Sequence, residues 1–192
     1  MVGEAGVSLF GAYRLARFDA GGMDYFNASV TGFWHSFLAA LLVAPLYLAL
    51  LAVWYPDLAP PPNPLRFLLI ESEAFAISWL AYPLAMIWVS ERFDCRERVL
   101  GYLVAYNWSM VLANGVLIPL NIVRALELLP ADLADLLWLL AISLVLAYLW
   151  FIARTALKVS PGKAVAIVGI DILLNLAITL IAKDLYMPAA SP

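Results

Sequence analysis

Residues Val99–Val123 read VLGYLVAYNWSMVLANGVLIPLNIV. The run is apolar and long enough to cross a hydrocarbon core of about 30 Å, yet it carries Asn107, Asn114 and Asn121. Seven residues of α-helix turn through about 700°, about 20° short of two turns, so asparagines at this spacing share a face. An unpartnered carboxamide in hydrocarbon costs on the order of several kcal/mol, so that face is expected to meet a neighbouring helix or water. The expected partner is the last apolar run, where Asp171 and Asn175 stand four residues apart on one helical face.

Composition places the chain in a membrane. Of its 192 residues 65% are hydrophobic and 13% charged, outside the balance of ordinary soluble domains. With a formal charge of −3 and no dense Lys/Arg footprint, nucleic acid is excluded as a partner. The single Cys95 forms no internal disulfide and reads as a bystander thiol. The first thirty or so residues lack the basic, apolar, small-residue order of a cleaved signal peptide, so insertion is expected to use the first span.

Around the asparagine-bearing run the chain reads as an all-α integral membrane protein, a bundle of five transmembrane helices with an N-terminal interfacial helix. Spans are expected at 33–54, 65–89, 99–123, 133–153 and 164–182, with a short tail over 183–192. The connection PDLAPPPNP between the first two can be extended but not helical. Residues 1–32 form an N-terminal segment in which Val7, Phe10, Tyr13, Arg14 and Arg17 recur at helical spacing, the pattern of a helix lying on anionic lipid. With this count Arg14, Arg17, Arg92, Arg96, Arg98, Arg154, Lys158 and Lys163, eight of the eleven basic residues, fall on one side. The positive-inside rule makes that side cytoplasmic and puts the C-terminus outside. Leu/Ala-rich spans with minimal loops suggest a bacterial inner (cytoplasmic) membrane.

Asp171 is the sharpest candidate site. An acid at mid-span costs roughly 2.5–3.5 kcal/mol on insertion scales and is by default a functional hypothesis. Its structural alternative is a packing role, bonded to Asn107 or Asn114 and holding the fifth span to the third. Glu71 and Glu73 sit near the outer end of the second span, at headgroup level, and Glu71, Ser78 and Tyr82 fall close to one face. Two residues apart, the carboxylates point about 160° away from each other and cannot serve one bond as an acid/base pair. His35 has no ligand partner at metal spacing and reads as an interfacial residue. Pro45, Pro83 and Pro119 lie inside the first three spans, where proline is common and occasionally marks a broken helix at a substrate site. The loop SERFDCRER, with Asp94 four before Arg98, joins Arg92, Arg96, Arg154, Lys158 and Lys163 in a basic rim fit to meet lipid or a partner. No nucleophile triad, phosphate loop, metal cluster or haem motif appears, so neither enzymatic activity nor a cofactor is expected.

The third span opens Leu100-Gly101-Tyr102-Leu103. Together with five closely spaced helices over Phe33–Ala182, this resembles the Yip membrane proteins, the Rab-interacting family that also occurs in bacteria. The resemblance implies a five-helix domain with a cytoplasmic N-terminus and a very short external tail. Ala105, Tyr106 and Asn107 follow where that family has a proline, and the acidic Asp-Leu-Tyr-Gly motif of its eukaryotic members is absent, so no Rab-binding residue carries over. The expectation is a bundle with the third and fifth spans at its polar centre, the first two packed around them and the fourth facing lipid. Its expected role is a non-enzymatic scaffold or accessory subunit binding lipid and a membrane-protein partner or a second copy of itself. The alternative is a small-solute or ion transporter or channel using Asp171 and an asparagine-lined path.

Overall fold

The computed structural model describes residues 2–187. Its helices are α1 (Val2–Ala16), α2 (Val30–Ser36), α3 (Leu38–Trp54), α4 (Pro64–Arg92), α5 (Val99–Ala125), α6 (Ala131–Leu157) and α7 (Pro161–Tyr186). Five runs are long and apolar enough to cross a membrane, α2 and α3 together making the first. A long apolar helical run covers each expected span and extends one to four residues beyond it at each end. The expected tail from residue 183 begins inside α7, and residues 188–192 lie outside the described residues.

Local chemistry sets these boundaries. The Ser29 hydroxyl accepts the Gly32 amide at 3.0 Å and starts α2. Asn63 accepts Arg66 N–H at 3.1 Å and Ser160 accepts Lys163 N–H at 3.4 Å, each followed by a proline whose missing donor costs nothing at the first helical position. Lys158, at φ 54°, ends α6 in the left-handed region. The helices continue through Pro45, Pro83 and Pro119.

The hub is α5, as its sequence implied. Tyr102 through Ser109 are all buried, so this half of the helix is enclosed on every side. Its neighbours differ from those expected. The longest packing seams of α5 are with α6 and α3, whereas α7 pairs with α4 and α6. The fourth span is therefore not a lipid-facing bystander: Ala141, Val145, Tyr148, Leu149, Ile152 and Ala156 bury one side of it, and Leu136, Leu140 and Leu144 stay exposed on another. Lipid and helix partners are equally apolar, so hydropathy does not separate the two faces.

The N-terminal segment also departs from expectation. α1 docks on α5 and α6, burying Ser8, Ala12 and Leu15, while the Tyr148 hydroxyl donates to Ala12 O at 2.8 Å. Only its outer face, with Val7, Phe10 and Tyr13 half exposed, is open to an interface. A 3₁₀ turn over Ala20–Tyr25 folds back onto α1 so closely that a Cβ on Gly22 would stand 2.6 Å from Gly11 O. At the entry to α2, His35 Nδ1 lies 2.7 Å from Glu4 Oε2, and Asn27 donates to the other oxygen of that carboxylate at 3.1 Å. This contact holds the Glu4 carboxyl below its usual range, His35 being the main cause and Asn27 the next.

Candidate functional site: a central cavity with two carboxylates

Because α4 pairs with α7 while α5 is held by α3 and α6, a gap remains between these units. It forms a cavity of about 400 Å³ that reaches both Asp171 and Glu71. Asp171 lies ten residues into α7, about 15 Å along the axis from its first residue. It is 6% exposed. The Tyr106 hydroxyl donates to its Oδ1 at 2.8 Å, and Asn175 Nδ2 donates to the same oxygen at 2.9 Å and to Asp171 O at 3.0 Å. Oδ2 has no hydrogen-bond donor among the described residues, yet it is not sealed in as an orphaned atom. It faces a cavity that water or a ligand can enter.

From Asp171 the cavity runs away from the basic end of the bundle. Asn175 and Thr179 follow at steps of four on α7, and Tyr106 and Asn114 line it from α5. On α4 it meets Ser78 and Glu71, and the Tyr47 hydroxyl of α3 donates to Glu71 Oε2 at 2.7 Å. Tyr106 lines it toward the basic end, and Tyr82 and Tyr102 pack against Tyr106: the Tyr82 and Tyr102 hydroxyls share a hydrogen bond, and the Tyr82 and Tyr106 ring centroids lie 4.3 Å apart.

The structure redistributes the polar residues singled out in the sequence. Asp171, Asn175 and Asn114 line one cavity, but neither Asn107 nor Asn114 bonds Asp171. Asn107 points elsewhere, donating to Ser36 Oγ at 2.8 Å with its own Oδ1 unpartnered. Asn114 and Asn121 donate to the carbonyls of Met110 and Leu117 one turn back. An asparagine can satisfy its amide on its own helix, so a seam of them does not require a partner helix. The two acids near the start of α4 separate: Glu71 turns inward and is half-buried, Glu73 is exposed. In the SERFDCRER loop Asp94 takes a left-handed φ of 56°, so the helical Asp94–Arg98 pair does not form. Arg96 pairs with Glu91 at 2.7 Å, and Arg98 donates to Leu157 O at 3.4 Å. Arg92 and Arg154 lie over the rings of Trp88 and Trp150, Lys163 donates to Phe93 O at 3.1 Å, and Lys158 is exposed. The rim is thus locally braced rather than a focused pocket.

Tyr106, Tyr47 and Thr179 were not singled out in the sequence. Thr179 continues the four-residue step of Asp171 and Asn175, a signal that was available. The tyrosines gave none, because aromatic rings are ordinary filling in an apolar span. Among the described residues no group of three His, Cys, Asp or Glu is placed to hold a metal ion.

Comparison with protein-family models, curated proteins and solved structures finds no match to this chain. Nothing in these comparisons identifies a Yip family.

Proposed function

We propose that the chain is a multi-pass protein of a bacterial cytoplasmic membrane that binds a small solute or cation in the central cavity and passes it across the bilayer. The observation that carries this reading is the cavity of about 400 Å³ reaching a buried carboxylate whose Oδ2 has no donor among the described residues. An intramembrane acid facing a cavity is what transport requires and what helix packing does not. The positive-inside rule sets the basic end in the cytoplasm. The cavity then faces the outer half, with Glu71 nearer its mouth, Asp171 at its floor and the tyrosine cluster as the inner closure. Rocking of the α4–α7 pair against α5 and α6 would open the tyrosine side, the kind of movement by which repeats alternate access around a fixed site.

The test is charge movement. In proteoliposomes on a solid-supported membrane, Na⁺, K⁺ or organic cations are expected to evoke transient currents. Asp171→Asn is expected to abolish them while leaving helicity and elution volume unchanged. Equal currents from both proteins would remove the proposal. A second reading, a scaffold or accessory subunit, draws on the half-exposed Val7, Phe10 and Tyr13 face of α1 beside Arg14 and Arg17. A stoichiometric protein retained through gentle purification, and lost with Phe10→Ser and Tyr13→Ser, would favour it.

A further inference from the structure

We propose that the occupant of the cavity is a lipophilic organic monocation, a quaternary or protonated amine bearing an aromatic or branched aliphatic group. This identification rests on the cavity being a solute site, as argued above, and narrows the class of solute.

Charge gives the first restriction. The lining includes Asp171 and Glu71 and, among the described residues, no Lys, Arg or His. In a medium of low effective dielectric such a wall attracts cations and rejects anions. Hydrogen-bond accounting gives the second, because five of the seven donor side chains along the wall are already committed, Trp79 and Thr179 being the other two. The hydroxyls of Tyr106 and Tyr47 are taken by the two carboxylates, Asn175 Nδ2 by Asp171, Asn114 Nδ2 by Met110 O and the Ser78 hydroxyl by Phe75 O. Asp171 Oδ2 remains as an acceptor without a donor among the described residues, both side-chain donors being on Oδ1. A neutral polyol or amide needs donors as well as acceptors from its site, whereas an ammonium needs only acceptors and π-faces.

The walls separate an organic cation from an inorganic one. On one side the rings of Tyr47 and Phe75 stack at 4.9 Å with Trp79 beside them, and on the other Val145, Leu146 and Leu149 are aliphatic. A metal cation asks for about six oxygens in place of its hydration shell, and among the described residues no group of three His, Cys, Asp or Glu is placed to hold one. A substituted ammonium is weakly hydrated and gains from both surfaces. The volume, about 400 Å³, also falls in the roughly 300–1,000 Å³ range of small-molecule sites, far larger than a bare ion fills.

The probe is tritiated phenyltrimethylammonium, whose charge does not vary with pH, with uncharged tert-butylbenzene as its isostere. Binding to the purified full chain in nanodiscs is expected to be saturable and not competed by tert-butylbenzene. It is expected to be at least tenfold weaker in Asp171→Asn and at least threefold weaker in Trp79→Leu. On the unaltered protein, bound probe is expected to slow carbodiimide labelling of Asp171 at least threefold, a readout that does not depend on the variants folding. Equal competition by tert-butylbenzene, unchanged affinity in Asp171→Asn, or absence of both binding and protection would overturn the assignment. Asp171-dependent currents with Na⁺ or K⁺ and no bound phenyltrimethylammonium would overturn it while leaving the transport reading standing. Loss of binding and of every current would remove both.

Discussion

Replacing Tyr106 by phenylalanine removes one oxygen from a ring that is 7% exposed, and with it the hydrogen bond that ties α5 to Asp171 of α7. The two helices share no long seam, so little neighbouring contact compensates. Hydrogen bonds between membrane helices average about 0.6 kcal/mol and reach about 1.7. A 2.8 Å contact to a carboxyl belongs in the upper part of that range. The full penalty for an orphaned buried acceptor does not apply, because Oδ1 keeps its bond from Asn175 and the cavity admits water. The expected loss is therefore about 1–1.5 kcal/mol, roughly a five- to thirteenfold change in the unfolding equilibrium. Steric trapping in bicelles can measure this, with Asp171→Ala and the double variant completing a thermodynamic cycle. The cycle should return a coupling near the single-variant loss of Tyr106→Phe, since each change removes the same bond. A coupling below about 0.3 kcal/mol would mean that the bond is not made in the bilayer, and the floor of the cavity would have to be redrawn.

Three further outcomes follow from the packing. Gly22→Ala places a Cβ 2.6 Å from Gly11 O and should cost about 1–3 kcal/mol of overpacking, whereas Gly115→Ala, with nothing within 4 Å, should be neutral or stabilising by up to about 1 kcal/mol through helix propensity; melting temperatures in detergent decide both. Tyr148→Phe removes the donor to Ala12 O and should speed hydrogen exchange along α1 while leaving α7 unchanged. The Glu4 carboxyl, held below its ordinary 4.5 chiefly by the His35 contact, stabilises the docking of α1 above that value, and the contribution is lost as pH falls through the lowered one. Exchange at α1 amides, corrected for intrinsic rates, should therefore rise below about pH 4.5 in the unaltered chain and show no such step in Glu4→Gln.

The five long helices and the central place of α5 were legible because both follow from hydropathy and length, which act on whole segments. The side-chain partners were not. α6 looked lipid-facing because its buried side, Ala141, Val145, Tyr148 and Ile152, is no more polar than its exposed leucines. α1 looked interfacial because the residues it buries include Ser8 and Ala12, which weigh little in an amphipathic pattern, while its large side chains Val7, Phe10 and Tyr13 point outward.

The polar centre lies one residue away from the asparagine repeat, and helix geometry explains how. Tyr106 and Asn107 are adjacent, so their side chains leave α5 about 100° apart. Asn107 turns to Ser36 of α2, and Tyr106 turns to Asp171 of α7. The asparagine repeat marks the direction of Asn107, whereas the cavity wall follows Tyr106, Met110, Asn114 and Leu117, a row at steps of four and three in which Asn114 is the one member shared with the asparagine repeat. A phenol reaches across the gap between α5 and α7 where a carboxamide on the neighbouring position cannot. The same reach commits the Tyr106 hydroxyl, so it occupies Oδ1 of Asp171 without adding a free donor to the wall. Oδ2 stays open to whatever enters. The feature that hid the site in the sequence, a tyrosine among apolar residues, is thus what occupies one carboxylate oxygen and leaves the other for the cavity.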